Sequence, residues 1–241
     1  MKNVTLLALD TATEACSVAL LRGGEKIHLE QLAQREHTKH ILPMVDQVLA
    51  QAGITLNQVD ALAFGRGPGS FTGVRIGAGI AQGLAFGANL PVIPISNLAA
   101  MAHAAYVQYQ AETVLSAIDA RMNEVYFAQW QAQKVRSDFG TFLHWQPVIE
   151  EQVCNPQNVL EQLARQEYSG AVLVGTGWAA YPQLAEANLG KTTDITLPSA
   201  LYMLDLALPQ WFAAGQVISP LEIEPIYLRN EVTWKKLPGR E

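Results

Sequence analysis

No part of the chain leaves its backbone fewer choices than the run Phe64-Gly65-Arg66-Gly67-Pro68-Gly69-Ser70-Phe71-Thr72-Gly73-Val74-Arg75-Ile76-Gly77. The mostly apolar segment from Asp60 to Phe64 reads as a buried strand. Gly65, Gly67 and Gly69 then admit dihedrals closed to residues with a Cβ, while Pro68 fixes one φ of the turn. A helix has to follow. Ser70 is a good N-cap, and Phe71 to Gly87 is long, apolar and free of proline.

Glycines recur one turn apart along that helix, at Gly73 and Gly77 and again at Gly79, Gly83 and Gly87. Each interior glycine costs a helix up to about 1 kcal/mol relative to alanine, so another backbone is expected to approach closely. Arg75 is the only charge between Ser70 and Asn89. A helix apolar nearly all round is normally covered on both sides. Two readings follow: a helix inside one core, or a helix packed on its own sheet that also serves a subunit interface. On the second reading Val74, Ala78, Gln82 and Ala85 form a small, nearly uncharged outer face, and Arg75 makes an interface ion pair. The strand, turn and helix also suggest phosphate binding. That signal is weak, because neither a Gly-Lys-Ser/Thr ending nor G-x-G-x-x-G spacing is present.

The remainder of the first hundred residues supplies a mixed sheet. Val4 to Leu9, Cys16 to Leu21 and Lys26 to Ala33 read as three antiparallel strands, joined by the turn Asp10 to Glu14 and the hairpin Arg22 to Glu25. An amphipathic helix is predicted from Thr38 to Ala52, kinked at Pro43 and stopped at Gly53. A short strand from Val92 to Ile95 completes a β-β-β-α-β-α-β unit. The second half repeats part of this: Leu115 to Arg121 and Val125 to Ala128 echo the opening, and Ala171 to Gly177 echoes Ala61 to Gly67. Asp10 and Gly65 are 55 residues apart, Asp119 and Gly175 are 56 apart, and the match indicates duplication. No second clear hairpin is predicted, Gln131 to Pro156 reads as irregular, and a helix from Ser199 to Ala213 precedes a tail with Pro220, Pro225 and Pro238. The expected division is a first subdomain over 1–100 and a second, degraded one over 101–241.

A duplicated unit that opens on a strand and Asp10-Thr11 resembles the actin, sugar-kinase and Hsp70 (ASKHA) superfamily, α/β proteins of two related subdomains whose mixed sheets are flanked by helices. Leu9-Asp10-Thr11, Gly67 to Gly77 and Pro225-Ile226-Tyr227-Leu228-Arg229 resemble, in more detail, the bacterial TsaB family of threonylcarbamoyladenosine biosynthesis. The resemblance covers nearly the whole chain. It implies a cytoplasmic, non-catalytic protein that pairs with the transferase TsaD, works with TsaE, forms a homodimer when alone and meets tRNA only through the complex. The activity served is transfer of a threonylcarbamoyl group from its adenylate to N6 of the adenosine beside the anticodon. TsaD is a paralogue with a His-Met-Glu-Gly-His metal pattern after the strand that follows its glycine helix. Asn97-Leu98-Ala99-Ala100-Met101 stands there in this chain, without either histidine.

The implied interface lies on the first helix, at Ile41, Val45 and Leu49, and on the glycine helix, at Val74, Arg75, Ala78, Gln82 and Ala85. Asp10 and Thr11 read as a turn cap and are the candidates for any residual nucleotide contact, with Asp119 their counterpart in the second half. His37 and His40 read as a solvated pair rather than a metal site, and Trp178 as core. No cofactor or metal is expected. A net charge of -6 argues against gripping nucleic acid unaided. Two cysteines in 241 residues fit a reducing compartment, and no apolar run suits a signal peptide or a membrane span. The rival function is an ATP-dependent phosphotransferase of the same superfamily. A peptidase has no supporting residues, there being no His-Glu-x-x-His.

Overall fold

β1 (Thr5–Asp10) is buried along its whole length, as its apolar run Leu6 to Leu9 requires of a central strand covered on both faces. The structure, a computed structural model, describes residues 4–166, 168–213 and 216–229; Pro238 of the predicted tail lies outside them. After β1 come β2 (Ala15–Arg22), β3 (Glu25–Leu32), α1 (His37–Gln51), β4 (Ala61–Gly67), α2 (Phe71–Ala88), β5 (Val92–Ser96) and α3 (Asn97–Tyr109). The second half holds β6 (Thr113–Arg121), β7 (Glu124–Ser137), β8 (Gly140–Cys154), α4 (Pro156–Leu163), β9 (Val172–Val174), α5 (Gly177–Ala180), α6 (Pro182–Ala185), β10 (Lys191–Thr192) and α7 (Ala200–Phe212).

The sheets run β3-β2-β1-β4-β5 and β10-β9-β6-β7-β8. β1 is antiparallel to β2 and parallel to β4, and β6 stands in the same relation to β7 and β9. The repeated topology is that of two related ASKHA-like subdomains. Helices α1 and α2 cover one face of the first sheet, where Ile41, Val48, Ala81 and Ala85 meet Leu7, Leu9 and Leu20. Its other face shares a core with the second sheet through α3 and α7, with Met101, Met203 and Leu204 among the buried residues. Val159 and Leu163 of α4 and Trp178 of α5 close the far face of the second sheet against Leu115 and Phe127.

Local chemistry explains most boundaries. Ser70 caps α2 by accepting the Gly73 N–H, and Asn89 ends that helix in the left-handed region at φ 53°. Pro43 lies inside α1 without ending it. Cys16 and Cys154 are buried, free thiols. No helix among the described residues is long and apolar enough to cross a membrane.

The stretch Gln131 to Pro156, expected to be irregular, is instead most of a long hairpin: β7 and β8 pair from Val125 with Cys154 to Ser137 with Gly140. The ladder is displaced by bulges between Phe127 and Trp130, and the ribbon's outer end is exposed. Alternation is lost where the register shifts and carries no burial signal where both faces meet water.

Candidate partner surface and the cleft between the sheets

The turn after β1 is held by its own chain. Asp10 and Thr11 are each 1% exposed. Asn97, at the start of α3, donates Nδ2–H to Asp10 Oδ1 at 2.7 Å and accepts the Gly67 N–H on its Oδ1 at 2.8 Å. Thr11 Oγ1 donates to the Gly73 carbonyl at 2.8 Å, tying the turn to α2. A Cβ on Gly65 would overlap Asp10 Oδ1, and one on Gly73 the Thr11 carbonyl oxygen; these two glycines are required by close approach. Burial pushes the Asp10 carboxyl up to about 7 against the opposing hydrogen bond from Asn97. Asp10 and Thr11 thus form a latch between β1, β4, α2 and α3.

The cleft between the two sheets is a cavity of about 700 Å³ lined in part by Gly69, Ser70, Asp119, Arg121, Thr176 and Arg229, with neither Asp10 nor Thr11 on its wall. Its charges answer one another. Asp119 Oδ1 accepts the Tyr181 hydroxyl at 2.8 Å and its Oδ2 meets Arg121 Nη1 at 2.8 Å. Burial first, and then this bond to Asp119, push the Tyr181 hydroxyl up to about 12. Arg229 Nε donates to Glu124 Oε2 at 2.9 Å and its Nη2 to the Ala120 carbonyl at 3.0 Å. The Ile226 N–H bonds the Arg66 carbonyl. The segment Pro225 to Arg229 therefore straps β4 of the first sheet to the β6–β7 corner of the second.

His37 departs from the expected solvated pair: it is 8% exposed and its Nε2 lies 2.7 Å from the Thr13 carbonyl, anchoring the start of α1 to the same turn. His40 stays partly exposed near Glu36. Trp178 sits in the core, its indole N–H bonded to the Val174 carbonyl.

The surface of α2 is phased differently from the helical projection. Ile41, Val45 and Leu49 of α1 and Val74, Ala78 and Ala85 of α2 are all buried within this chain, so of the eight expected contacts only Arg75 and Gln82 reach the surface. Small side chains at 74, 78 and 85 serve the approach of the helix to its own sheet. The face turned outward carries Phe71 and Phe86, each 68% exposed, together with Gly79, Gly83 and Gly87, around whose missing Cβ atoms no atom of the described residues lies within 4 Å. Arg75 forms no ion pair among the described residues. Its guanidinium lies 3.3 Å from the centroid of the Phe71 ring and 4.5 Å from that of Tyr227, and it donates to the Phe71 carbonyl. Gln82 Nε2 donates to the Pro220 carbonyl at 2.9 Å.

Two residues central to this arrangement carried little signal. Asn97 stood out only as a non-ligand, although a polar residue between Ile95 and Leu98 at a helix start marks a buried hydrogen-bonding role. Arg229 lay in a resemblance motif, but Glu124 is 105 residues away.

The model of a protein family described as TsaD, tRNA N6-adenosine threonylcarbamoyltransferase, matches residues 29–209. A Haemophilus influenzae protein named tRNA threonylcarbamoyladenosine biosynthesis protein TsaB is 68% identical over the full length of both chains. The Escherichia coli protein of the same name is 49% identical over 98% of this chain and 99% of its own. A Pseudomonas aeruginosa crystal structure, described as an uncharacterized protein with similarity to peptidase YeaZ, superposes with a TM-score of 0.79 at 39% identity, over 94% of this chain and all of that one. With the duplicated topology and the glycine turn they accompany, these likenesses show that the chain belongs to the TsaB family.

Proposed function

We propose that this chain is a non-catalytic subunit of the machinery for tRNA threonylcarbamoyladenosine synthesis, pairing with the transferase TsaD, acting with TsaE, and self-associating when alone. The observation that carries the reading is the commitment of Asn97. It occupies the position where the resemblance places the paralogue's first histidine ligand, it is fully buried, and both ends of its amide are spent on Asp10 and the Gly67 N–H. Such a side chain is tied into the fold, and an amide is a poorer ligand than imidazole for a borderline divalent ion. The partner surface is the outward face of α2, where Phe71 and Phe86 flank an open glycine stripe. Two exposed phenylalanines on one helix are a liability unless another chain covers them. With a net charge of -6, tRNA is met through the complex, and the setting is the cytoplasm.

Purified chain, TsaD and TsaE mixed with tRNA, threonylcarbamoyl-adenylate and ATP test this directly. Transfer is expected only when TsaD is present, and Gly83→Trp is expected to abolish co-elution with TsaD while the lone chain stays folded. Transfer by this chain without TsaD, or undiminished co-elution of the variant, contradicts the proposal.

The cleft of about 700 Å³ favours a second reading, a nucleotide-binding phosphotransferase. The latch argues against it, because Asp10 and Thr11 face away from that space. Calorimetric titration with ATP and magnesium is expected to give a Kd on the order of 1 mM or weaker; a micromolar site would favour the phosphotransferase.

A further inference from the structure

The ribbon of β7 and β8 runs past the body of the second sheet. β6 accompanies β7 only as far as Gln131, opposite Thr113, with one more bond from the Ala132 N–H to the Glu112 carbonyl; beyond that β7 is joined to β8 alone, out to Ser137 and Gly140. Residues 133–141 are all exposed. Two cations stand on this end. Lys134 and Arg136 lie two positions apart, hence on one face of the strand and roughly 6.8 Å from each other along it, with Thr141 directly across from Arg136. Val135, Ser137 and Asp138 line the cavity of about 600 Å³ between the ribbon and the end of α7, and neither cation does.

Their charge is unspent. Most other described cations are committed to a carboxylate, a ring or a carbonyl, as Arg66 is to Glu151, Arg75 to Phe71 and Arg22 to Ala52. The side chains of Lys134 and Arg136 make no hydrogen bond, ion pair or ring contact with any described residue. Arg35 and Arg165 are free in the same sense, but they occupy separate turns. Charge on a free strand edge also discourages pairing with other chains, a duty that acids would fill equally well. In a chain of net charge -6, two neighbouring unpaired cations on a projecting ribbon point instead to an anion. The polyanion that the reading above supplies, and on which this inference rests, is tRNA. We propose that the outer end of the ribbon is the surface by which this chain itself touches tRNA, Lys134 and Arg136 each neutralising a backbone phosphate. Such contacts position a nucleic acid without reading its sequence. Two are too few to hold RNA unaided, so the ribbon acts within the complex.

The complex of the full chain with TsaD is titrated with tRNA over a series of salt concentrations and followed by fluorescence anisotropy. Lys134→Gln combined with Arg136→Gln should weaken binding about tenfold at low salt and lower the slope of log K against log salt by roughly 1.5, as the loss of two phosphate contacts requires. Co-elution with TsaD and thermal unfolding should not move, because both side chains are exposed and touch no described residue. Lys134→Arg with Arg136→Lys keeps both charges and should bind as the parent does. Arg35→Gln with Arg165→Gln removes the same net charge elsewhere and should leave the slope in place. An unchanged slope in the ribbon variant, or an equal drop in the Arg35 and Arg165 pair, would overturn the contact. Loss of co-elution in the ribbon variant would mark a protein-binding surface and overturn it as well. Failure of the parent chain to co-elute with TsaD is a separate result, which contradicts the subunit reading and the ribbon contact with it.

Discussion

The two glycine stripes of α2 differ in what they touch. Gly73 and Gly77 face Thr11 and Ala12 so closely that a side chain on either would collide with backbone or with the Thr11 hydroxyl. Among the described residues nothing lies within reach of a side chain at Gly79, Gly83 or Gly87. The inner stripe is thus required by the fold of a single chain. The outer stripe costs the helix up to about 1 kcal/mol per glycine with no contact among the described residues to offset it. The comparison teaches that one sequence periodicity can serve two purposes: here it joins β1 to α2 on one side, and on the other, under the proposal above, lets a second chain approach.

The sharpest probe of the inner side is the carboxyl it encloses. The folded value for Asp10 lies near 7, above the ordinary 3.8, so the protonated acid is the form the fold prefers. Its stabilising contribution is full below about pH 4 and is lost as pH rises through about 7, at roughly 1.4 kcal/mol per pH unit, or about 4 kcal/mol across the window. Asp10→Asn keeps an acceptor for Asn97 and removes the charge. Chemical denaturation at pH 5 and pH 8 should show the variant gaining on the parent at the higher pH. A difference that stays constant with pH would mean that Asp10 does not titrate in the fold.

Gly73→Ala tests the contact itself. The new methyl meets the Thr11 carbonyl, which cannot move without disturbing β1, and a loss of about 3 kcal/mol is expected. Thermal unfolding measures it, and a melting temperature within a degree of the parent would show that the turn yields. The outer stripe should respond in the opposite sense. Gly79→Ala combined with Gly83→Ala is expected to stabilise the isolated chain by up to about 2 kcal/mol while weakening self-association and pairing with TsaD. Sedimentation equilibrium beside thermal unfolding separates the two effects, and stronger association would break the contrast between the faces. The smallest expected effect is at Arg75, which bridges the Phe71 and Tyr227 rings in partly exposed surroundings. Arg75→Ala should cost about 1 kcal/mol. If it instead abolished pairing with TsaD and left the melting curve unchanged, Arg75 would be acting across the interface.

The β4–α2 junction was legible because glycine, proline and a serine cap leave the backbone few options. The duplication was legible from the spacing of Asp10 and Gly65 against Asp119 and Gly175, and the shared strand order accounts for it. The β7–β8 ribbon was hidden by its bulges, and the burial of His37 because the Thr13 carbonyl is 24 residues away. The phase of α2 was hidden for a different reason. Small residues are compatible with close approach on either side of a helix, so Val74, Ala78 and Ala85 were as plausible outside as inside until the first sheet was in place.

What the sequence determined by itself is therefore local: where the chain must turn, which segments carry enough apolar periodicity to form elements, and that the unit occurs twice. These are properties of neighbouring dihedrals and of short-range pattern. Only the tertiary structure decided which face of α2 is spent on its own β1 turn, that Asn97 locks Asp10, and that Arg229 clasps Glu124. Each of these joins groups far apart along the chain, such as Thr11 and Gly73 at 62, Asn97 and Asp10 at 87 and Arg229 and Glu124 at 105, because burial and hydrogen bonding act on whatever the packed sheets bring together, whatever its distance along the chain.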